Sequence, residues 1–332
     1  MGRNGPEVPV VCFGTWPLGG AYGSVEENSS IDTMHAALDA GLTFIDTAEG
    51  YMNAEAIIGK SIKGRRDELF IATKVSAEDH YTEHIESALE NSLRLMGTDY
   101  VDLYQLHRAT DRPIEDTMGD LIRLRDAGKL RYIGISNFST EEISAAAKAG
   151  PVKSGQPRYN MLFRETEDDL LPAYQANGIG VMAHSVLAKG LLGGRYQPGF
   201  VLSPDDERAA WPAFHGESFQ QTYEVTERLK GWATDHGRDL VQLAVAWPVA
   251  HPAVYTSIVG ARRPEDIEVL AEAGDWILSP RDLEEIDEIQ GEHRLYIDDQ
   301  PAGRPAATTR PCAERGQVSH PCARHHPPPP SR

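Results

Sequence analysis

Along the first 290 residues, short β-branched and aromatic runs alternate with longer stretches whose apolar positions recur every three to four residues. Eight runs read as strands, at residues 10–14, 43–47, 69–75, 100–107, 132–137, 154–158, 180–185 and 256–260. Helical periodicity fills most of the intervals. Residues 30–40 carry Ile31, Met34 and Leu38 on one face, with Gly41 as the stop. Residues 82–95, 114–127, 165–177 and 264–273 behave similarly, and Ser139 with Glu142 forms a capping-box pair ahead of Ile143. This rhythm predicts βα units around a parallel sheet.

The rhythm breaks after the seventh run. Residues 194–218 form a long loop with Pro198, Pro204 and Pro212, and with Trp211 and Phe214 expected at its surface. Loops of this length usually carry function, so a lid is expected, with a disordered insert as the alternative. Two helices (220–236 and 239–249) precede the last strand. A final helix opens at Ser279-Pro280, a cap residue followed by proline, and runs to about residue 290. Beyond residue 297 the chain holds eight prolines and Val318 as its only large aliphatic residue, so residues 298–332 are expected to be a disordered tail. Cys312, His320, Cys322, His325 and His326 in that tail match no metal-finger spacing.

Charge narrows the chemistry. The chain has 32 basic and 50 acidic residues, a formal net charge of −18. Residues 301–332 carry five arginines against one acid, which makes the rest of the chain more acidic still. Such a surface repels nucleic acid and anionic membranes. An anionic cofactor would need a local basic pocket. Of three cysteines only Cys12 lies in the body, and no apolar run approaches 18 residues. A cytoplasmic, metal-free protein acting on a small molecule is expected.

Period-two alternation shows which strand residues share a face. Phe44 and Asp46 point one way; so do Phe70, Ala72 and Lys74, and Val101, Leu103, Gln105 and His107. In each row the apolar members come first and a polar residue ends it, placing Asp46, Lys74 and His107 at the C-terminal mouth of a barrel, where barrel active sites sit. Tyr51 follows in the loop after the second strand. Hydride addition to a carbonyl produces an alkoxide that needs a proton. A tyrosine near an ammonium can supply it, because the cation stabilises the phenolate and lowers the phenol pKa. Asp46 would balance Lys74, and neutral His107 would polarise the carbonyl. Singly, Tyr51 could be a covering aromatic, His107 structural and Asp46 a turn cap; together on adjacent strand ends they favour chemistry.

These segments resemble the aldo-keto reductase superfamily over about residues 3–290. Val11-Cys12-Phe13-Gly14-Thr15-Trp16, Asp46-Thr47-Ala48-Glu49-Gly50-Tyr51, Ala72-Thr73-Lys74-Val75, the segment from Asp99 to His107, and Gly134-Ile135-Ser136-Asn137-Phe138 carry the likeness in order. The resemblance implies a (β/α)8 TIM barrel over residues 1–297, with an N-terminal hairpin, the long loop after strand seven and an extra C-terminal helix. It implies reversible reduction of aldehydes or ketones with NADPH, NADH being the alternative. It assigns catalysis to Asp46, Tyr51, Lys74 and His107, and the carboxamide of the nicotinamide to Ser136, Asn137 and Gln156. Gly14, Thr15, Trp16, Ser185, Leu187, Gly190, Leu191 and Arg195 would contact the cofactor, the last five around its pyrophosphate. Gly260, Arg262 and Arg263 would meet the adenosine 2′-phosphate. Trp16, Arg108, Trp211 and Phe214 would frame the substrate.

Three features depart from the family pattern. His184 replaces the usual tyrosine under the nicotinamide, which predicts weaker, pH-sensitive stacking. Asp266 and Leu270 stand where the adenosine site usually ends in Gln or Arg and Asn; an anionic Asp266 would oppose a 2′-phosphate. The Tyr51 loop is shorter than usual. Two other classes compete with a reductase: a nucleotide-sensing regulatory subunit of the same fold, and a metal-dependent barrel hydrolase, which would want a His-x-His near the first strand that this chain lacks.

Overall fold

The computed structural model describes residues 1–20, 22–23, 25–76, 80–204 and 206–295. The expected tail from residue 298, its Cys and His residues included, lies outside the described residues.

Eight parallel strands close into a barrel in sequence order: β1 (Val11–Gly14), β2 (Phe44–Asp46), β3 (Phe70–Val75), β4 (Val101–Leu106), β5 (Leu130–Ser136), β6 (Val152–Gln156), β7 (Gly180–Ala183) and β8 (Val254–Val259). Each falls on or beside a predicted strand. The helices are α1 (Glu27–Asp39), α2 (Ala54–Ser61), α3 (Thr82–Met96), α4 (Ile114–Asp126), α5 (Thr140–Ala149), α6 (Leu170–Ala176), α7 (Gly216–Asp235), α8 (Leu240–Val249), α9 (Ile267–Glu272) and α10 (Pro280–Gln290). The capping boxes at Ser139 and Ser279 both form. The predicted helices at 165–177 and 264–273 each start with a separate 3-10 turn, Glu165–Glu167 and Pro264–Asp266.

The alternation of β-strands divides the apolar residues into two cores. One lies between sheet and helices and takes Phe13, Ile45, Ile71, Tyr104 and Ile133. The other fills the lumen with Cys12, Phe44, Ala72, Leu103, Met182 and Ile258. Met1 packs into that second core, and the Arg3 amide donates to the Gly178 carbonyl at 2.7 Å, so the N-terminal segment covers the lower end of the lumen. The expected N-terminal hairpin is absent. Residues 1–10 form turns, with Gly2 and Asn4 at positive φ, and Pro6 and Pro9 lack the N–H groups a ladder needs.

The long loop also departs from expectation. Trp211 and Phe214 are not surface residues: they are 8% and 3% exposed. Phe214 meets Tyr196 edge-on at 5.4 Å and lies 6.3 Å from Phe200, while the Lys189 ammonium lies 4.2 Å over the Trp211 ring. The loop therefore has an aromatic core of its own, which fastens it to the barrel and excludes the disordered-insert alternative for its described residues.

Candidate active site

Parallel register brings the ends of five strands together in the lumen. Asp46 pairs with Ala72, Lys74 with Gln105, and Ser136 with Gln156. Above the apolar layer the inward row turns polar, and Lys74, fully buried, takes its place there. Its ammonium donates to Asp46 Oδ1 at 2.5 Å and to the Thr47 carbonyl at 2.8 Å, and reaches the Tyr51 hydroxyl at 3.5 Å. A buried cation needs this degree of pairing to remain charged. Burial opposes the Lys74 charge, but Asp46 and Tyr51 outweigh it and raise its pKa above the ordinary lysine value.

Asp46 Oδ2 is fully engaged as well. It accepts from Gln105 Nε2 at 3.2 Å and from Gln156 Nε2 at 2.9 Å. Gln105 was placed on the inward row from sequence without a role; its alternation was the signal, and its part as an anchor of Asp46 becomes visible only once β4 and β2 share a lumen.

Tyr51 lies in the turn between β2 and α2. Trp16 approaches its ring edge-on at 4.8 Å, and the His107 ring lies at 5.8 Å. Gly19 is required here, since a Cβ on it would run into the Tyr51 carbonyl oxygen. Burial raises the Tyr51 pKa, and Lys74 pulls it down without reversing the shift. Lys74 thus acts in the expected direction while burial outweighs it: the phenol holds its proton, and the cation limits the cost of losing it.

The remaining expected residues line the same mouth and the adjoining β7 and β8 loops. Thr15 donates through Oγ1 to the Asp46 carbonyl at 3.1 Å. Ser136 Oγ donates to the Gln156 carbonyl, and Asn137, at positive φ, donates to Ser136 Oγ at 2.9 Å and to the His107 carbonyl at 3.1 Å. His184 Nδ1 meets Ser185 Oγ at 3.0 Å, while its buried Nε2 has no hydrogen-bond partner. Burial, with Arg158 and Lys74 adding to it, pushes the His184 pKa down to about 3. The ring is neutral throughout the usual working range, so the predicted pH-sensitivity near neutrality is absent. Leu187 through Leu191 turn sharply, with Gly190 at φ +100° donating to the Leu187 carbonyl. Gly14 and Gly260 allow β1 and β8 to approach, since a Cβ on Gly260 would strike the Gly14 carbonyl. Arg108 is exposed beside His107.

The loops after β7 and β8 hold the cations, each set against an anion or carbonyl of the chain. Arg195 and Arg263 both bond Asp266, Arg263 at 3.3 Å. Lys189 pairs with Glu207, Arg208 with Asp206 at 2.6 Å, and Arg262 donates to the Tyr22 carbonyl at 2.9 Å. Arg208 also lies 4.2 Å over the Tyr22 ring. Sequence reasoning missed Arg208, which sits in a loop with no periodicity to orient it. These two loops are where barrels frequently bind phosphate. Among the described residues no group of three or more His, Cys, Asp or Glu could hold a metal ion, and no helix is long and apolar enough to cross a membrane.

A closed parallel barrel thus carries at its mouth a buried Asp–Lys pair touching a tyrosine, with cations gathered after β7 and β8. The sequence profile of the Aldo/keto reductase family matches residues 10–290. The chain belongs to that family and is an oxidoreductase. It is similar to the aldo-keto reductase YhdN of Bacillus subtilis (strain 168), at 37% identity over 86% of this chain and 91% of that one. Its fold is similar to that of the glycerol dehydrogenase AKR11B4 from Gluconobacter oxydans, with a TM-score of 0.80 and 28% identity over 88% of this chain and 95% of that one. It is similar, too, to an aldo-keto reductase from Klebsiella pneumoniae solved in complex with NADPH, with a TM-score of 0.69 and 31% identity over 85% and 91% of the two chains.

Proposed function

We propose that this enzyme reduces aldehydes and ketones to alcohols with NADPH, reversibly, with Tyr51 as the proton donor. The observation that carries the reading is the Lys74 ammonium held between Asp46 and the Tyr51 hydroxyl. The donor set fits a dinucleotide. Cations cluster in the β7 and β8 loops of an otherwise acidic chain, Ser136 and Asn137 offer polar atoms at the mouth, and His184 Nε2 is a buried polar atom with no partner. Gln156 commits its amide nitrogen to Asp46, which leaves Oε1 to accept from a carboxamide.

When bound, the dihydronicotinamide supplies a hydride to the carbonyl carbon. Tyr51 gives its proton to the carbonyl oxygen as negative charge develops there, and Lys74 stabilises the resulting phenolate. Asp46 keeps Lys74 charged and aimed, with Gln105 and Gln156 holding Asp46 in turn. His107 donates a hydrogen bond to the same carbonyl oxygen. Trp16 walls the pocket and Arg108 stands at its rim. Trp211 and Phe214 act on the substrate through the shape of the long loop, because their own faces pack against that loop and Lys189. In the reverse direction the Tyr51 phenolate takes the alcohol proton.

The test is NADPH consumption by the full chain with 4-nitrobenzaldehyde, followed at 340 nm. Turnover that saturates in both reactants supports the reading. Tight NADPH binding with negligible turnover across an aldehyde panel would instead favour the nucleotide-sensing subunit.

A further inference from the structure

Tyr51 has no secondary structure of its own. It stands on the turn between Asp46 and Ala54, next to Gly50 and to Met52, whose φ is +53°. A backbone of this kind does not by itself hold a phenol at a fixed distance from an ammonium on another element. Two carboxylates flank the tyrosine, and both are tied to the strand that carries the lysine. Glu49, two residues before Tyr51, accepts from the Ser76 amide, its own amide donates to the Lys74 carbonyl at 3.2 Å, and its carboxylate also lies 3.3 Å from His84 Nε2 on α3. Glu55, four residues after Tyr51 in the first turn of α2, accepts from Thr73 Oγ1 at 2.7 Å.

The attachments bracket the chemistry on both elements. Thr73 and Ser76 stand on either side of Lys74 in β3 and its exit, as Glu49 and Glu55 stand on either side of Tyr51. Thr73 alternates with Ala72 and Lys74, so its hydroxyl points behind the sheet, out of the lumen. Glu55 is itself buried, and burial raises its pKa while the Thr73 hydroxyl lowers it. A carboxyl kept in such a place needs a reason, because its removal from water is unfavourable.

We propose that Glu49 and Glu55 are positioning residues which clamp the Tyr51 turn to β3 and thereby set the gap between the Tyr51 hydroxyl and the Lys74 ammonium. At a separation of 3.5 Å the stabilisation of the phenolate falls as the gap opens. A loosened clamp therefore raises the working pKa of Tyr51. The inference rests on Tyr51 being the proton donor.

The experiment is the pH profile of carbonyl reduction and of alcohol oxidation for Thr73→Val, Glu55→Ala and Glu49→Ala, with NADP+ dissociation constants measured alongside. Each folded variant is expected to lose about ten-fold in kcat, to move the tyrosine limb upward by about half a pH unit or more, and to change nucleotide affinity by less than two-fold. Thr73→Ser, which restores the hydroxyl, is expected to return the limb to its wild-type position. If Glu55→Ala does not fold, Thr73→Val and Glu49→Ala decide. A limb that stays put while rate falls evenly at all pH values would overturn the clamp and leave an ordinary structural contact. Tyr51→Phe separates the two layers: full activity in that variant refutes the proton-donor assignment, whereas an inactive Tyr51→Phe together with an unmoved limb refutes the clamp alone.

Discussion

Lys74 Nζ stands 2.5 Å from Asp46 Oδ1, and neither side chain has appreciable contact with solvent. An ion pair in this setting is weak evidence for net stabilisation, but breaking it from one side strands the other charge. Asp46→Ala is therefore expected to destabilise the fold by about 3–5 kcal/mol, read from urea unfolding. Lys74→Met combined with Asp46→Asn removes both charges and is expected to recover part of that loss while remaining inactive. Equal stability of Asp46→Ala and the parent would mean that the pair is solvated.

His184 gives stability a pH dependence of known sign. Its folded-state pKa lies at about 3, below the ordinary histidine value, so between these limits the unfolded chain binds a proton that the folded chain refuses. Its contribution is present above the unfolded value and is lost progressively as pH falls through the window from about 6.5 toward 3. His184→Phe, which cannot take up that proton, is expected to flatten the decline in unfolding free energy between pH 6.5 and 4. Parallel curves for the two proteins would contradict the burial of a neutral ring.

Asp266 bonds both Arg195, expected beside the pyrophosphate, and Arg263, expected at the adenosine 2′-phosphate, and these interactions lower its pKa despite burial. A 2′-phosphate has to compete with this carboxylate for the same guanidinium groups. Asp266→Asn is expected to improve the preference for NADPH over NADH by about ten-fold, on the scale of one charge-assisted contact. Fluorescence titration with the two nucleotides gives the ratio. An unchanged ratio would show that the arginines meet no phosphate.

Leu103 belongs to the small lumen core directly below the polar layer, where Ala72, Phe44 and Met182 leave little room to collapse. Leu103→Ala is expected to cost about 2–5 kcal/mol in urea unfolding. A cost far below that range would show that the lumen rearranges.

Much of this molecule was legible in the sequence because its physics is local. Most of the strands follow from β-branched or aromatic runs, whereas the sixth, read at 154–158, has no such residue and follows from the alternation of strands and helices. Asp46, Lys74 and His107 follow from two-residue alternation, since a polar residue ending an apolar row can only face the open mouth. Helix α2 was not legible: it is short, carries Gly59, and lacks a side-chain cap. It forms through packing on α3, where that glycine lets the helices cross closely over the Leu95 carbonyl. The contribution of burial to the Tyr51 and His184 pKa values was hidden as well, because enclosure is a property of the assembled barrel. For the same reason Trp211 and Phe214 were expected at the surface: nothing in a proline-rich loop announces that it folds on its own aromatic residues.

The central claim is that the Tyr51 phenol supplies the proton. The most direct test is single-turnover hydride transfer from NADPH to 4-nitrobenzaldehyde in Tyr51→Phe, with NADPH affinity measured on the same preparation. A loss of about 10²–10⁴ in rate, with nucleotide binding retained, is expected for removal of a general acid. A variant that binds NADPH and transfers hydride at the parent rate would contradict the account.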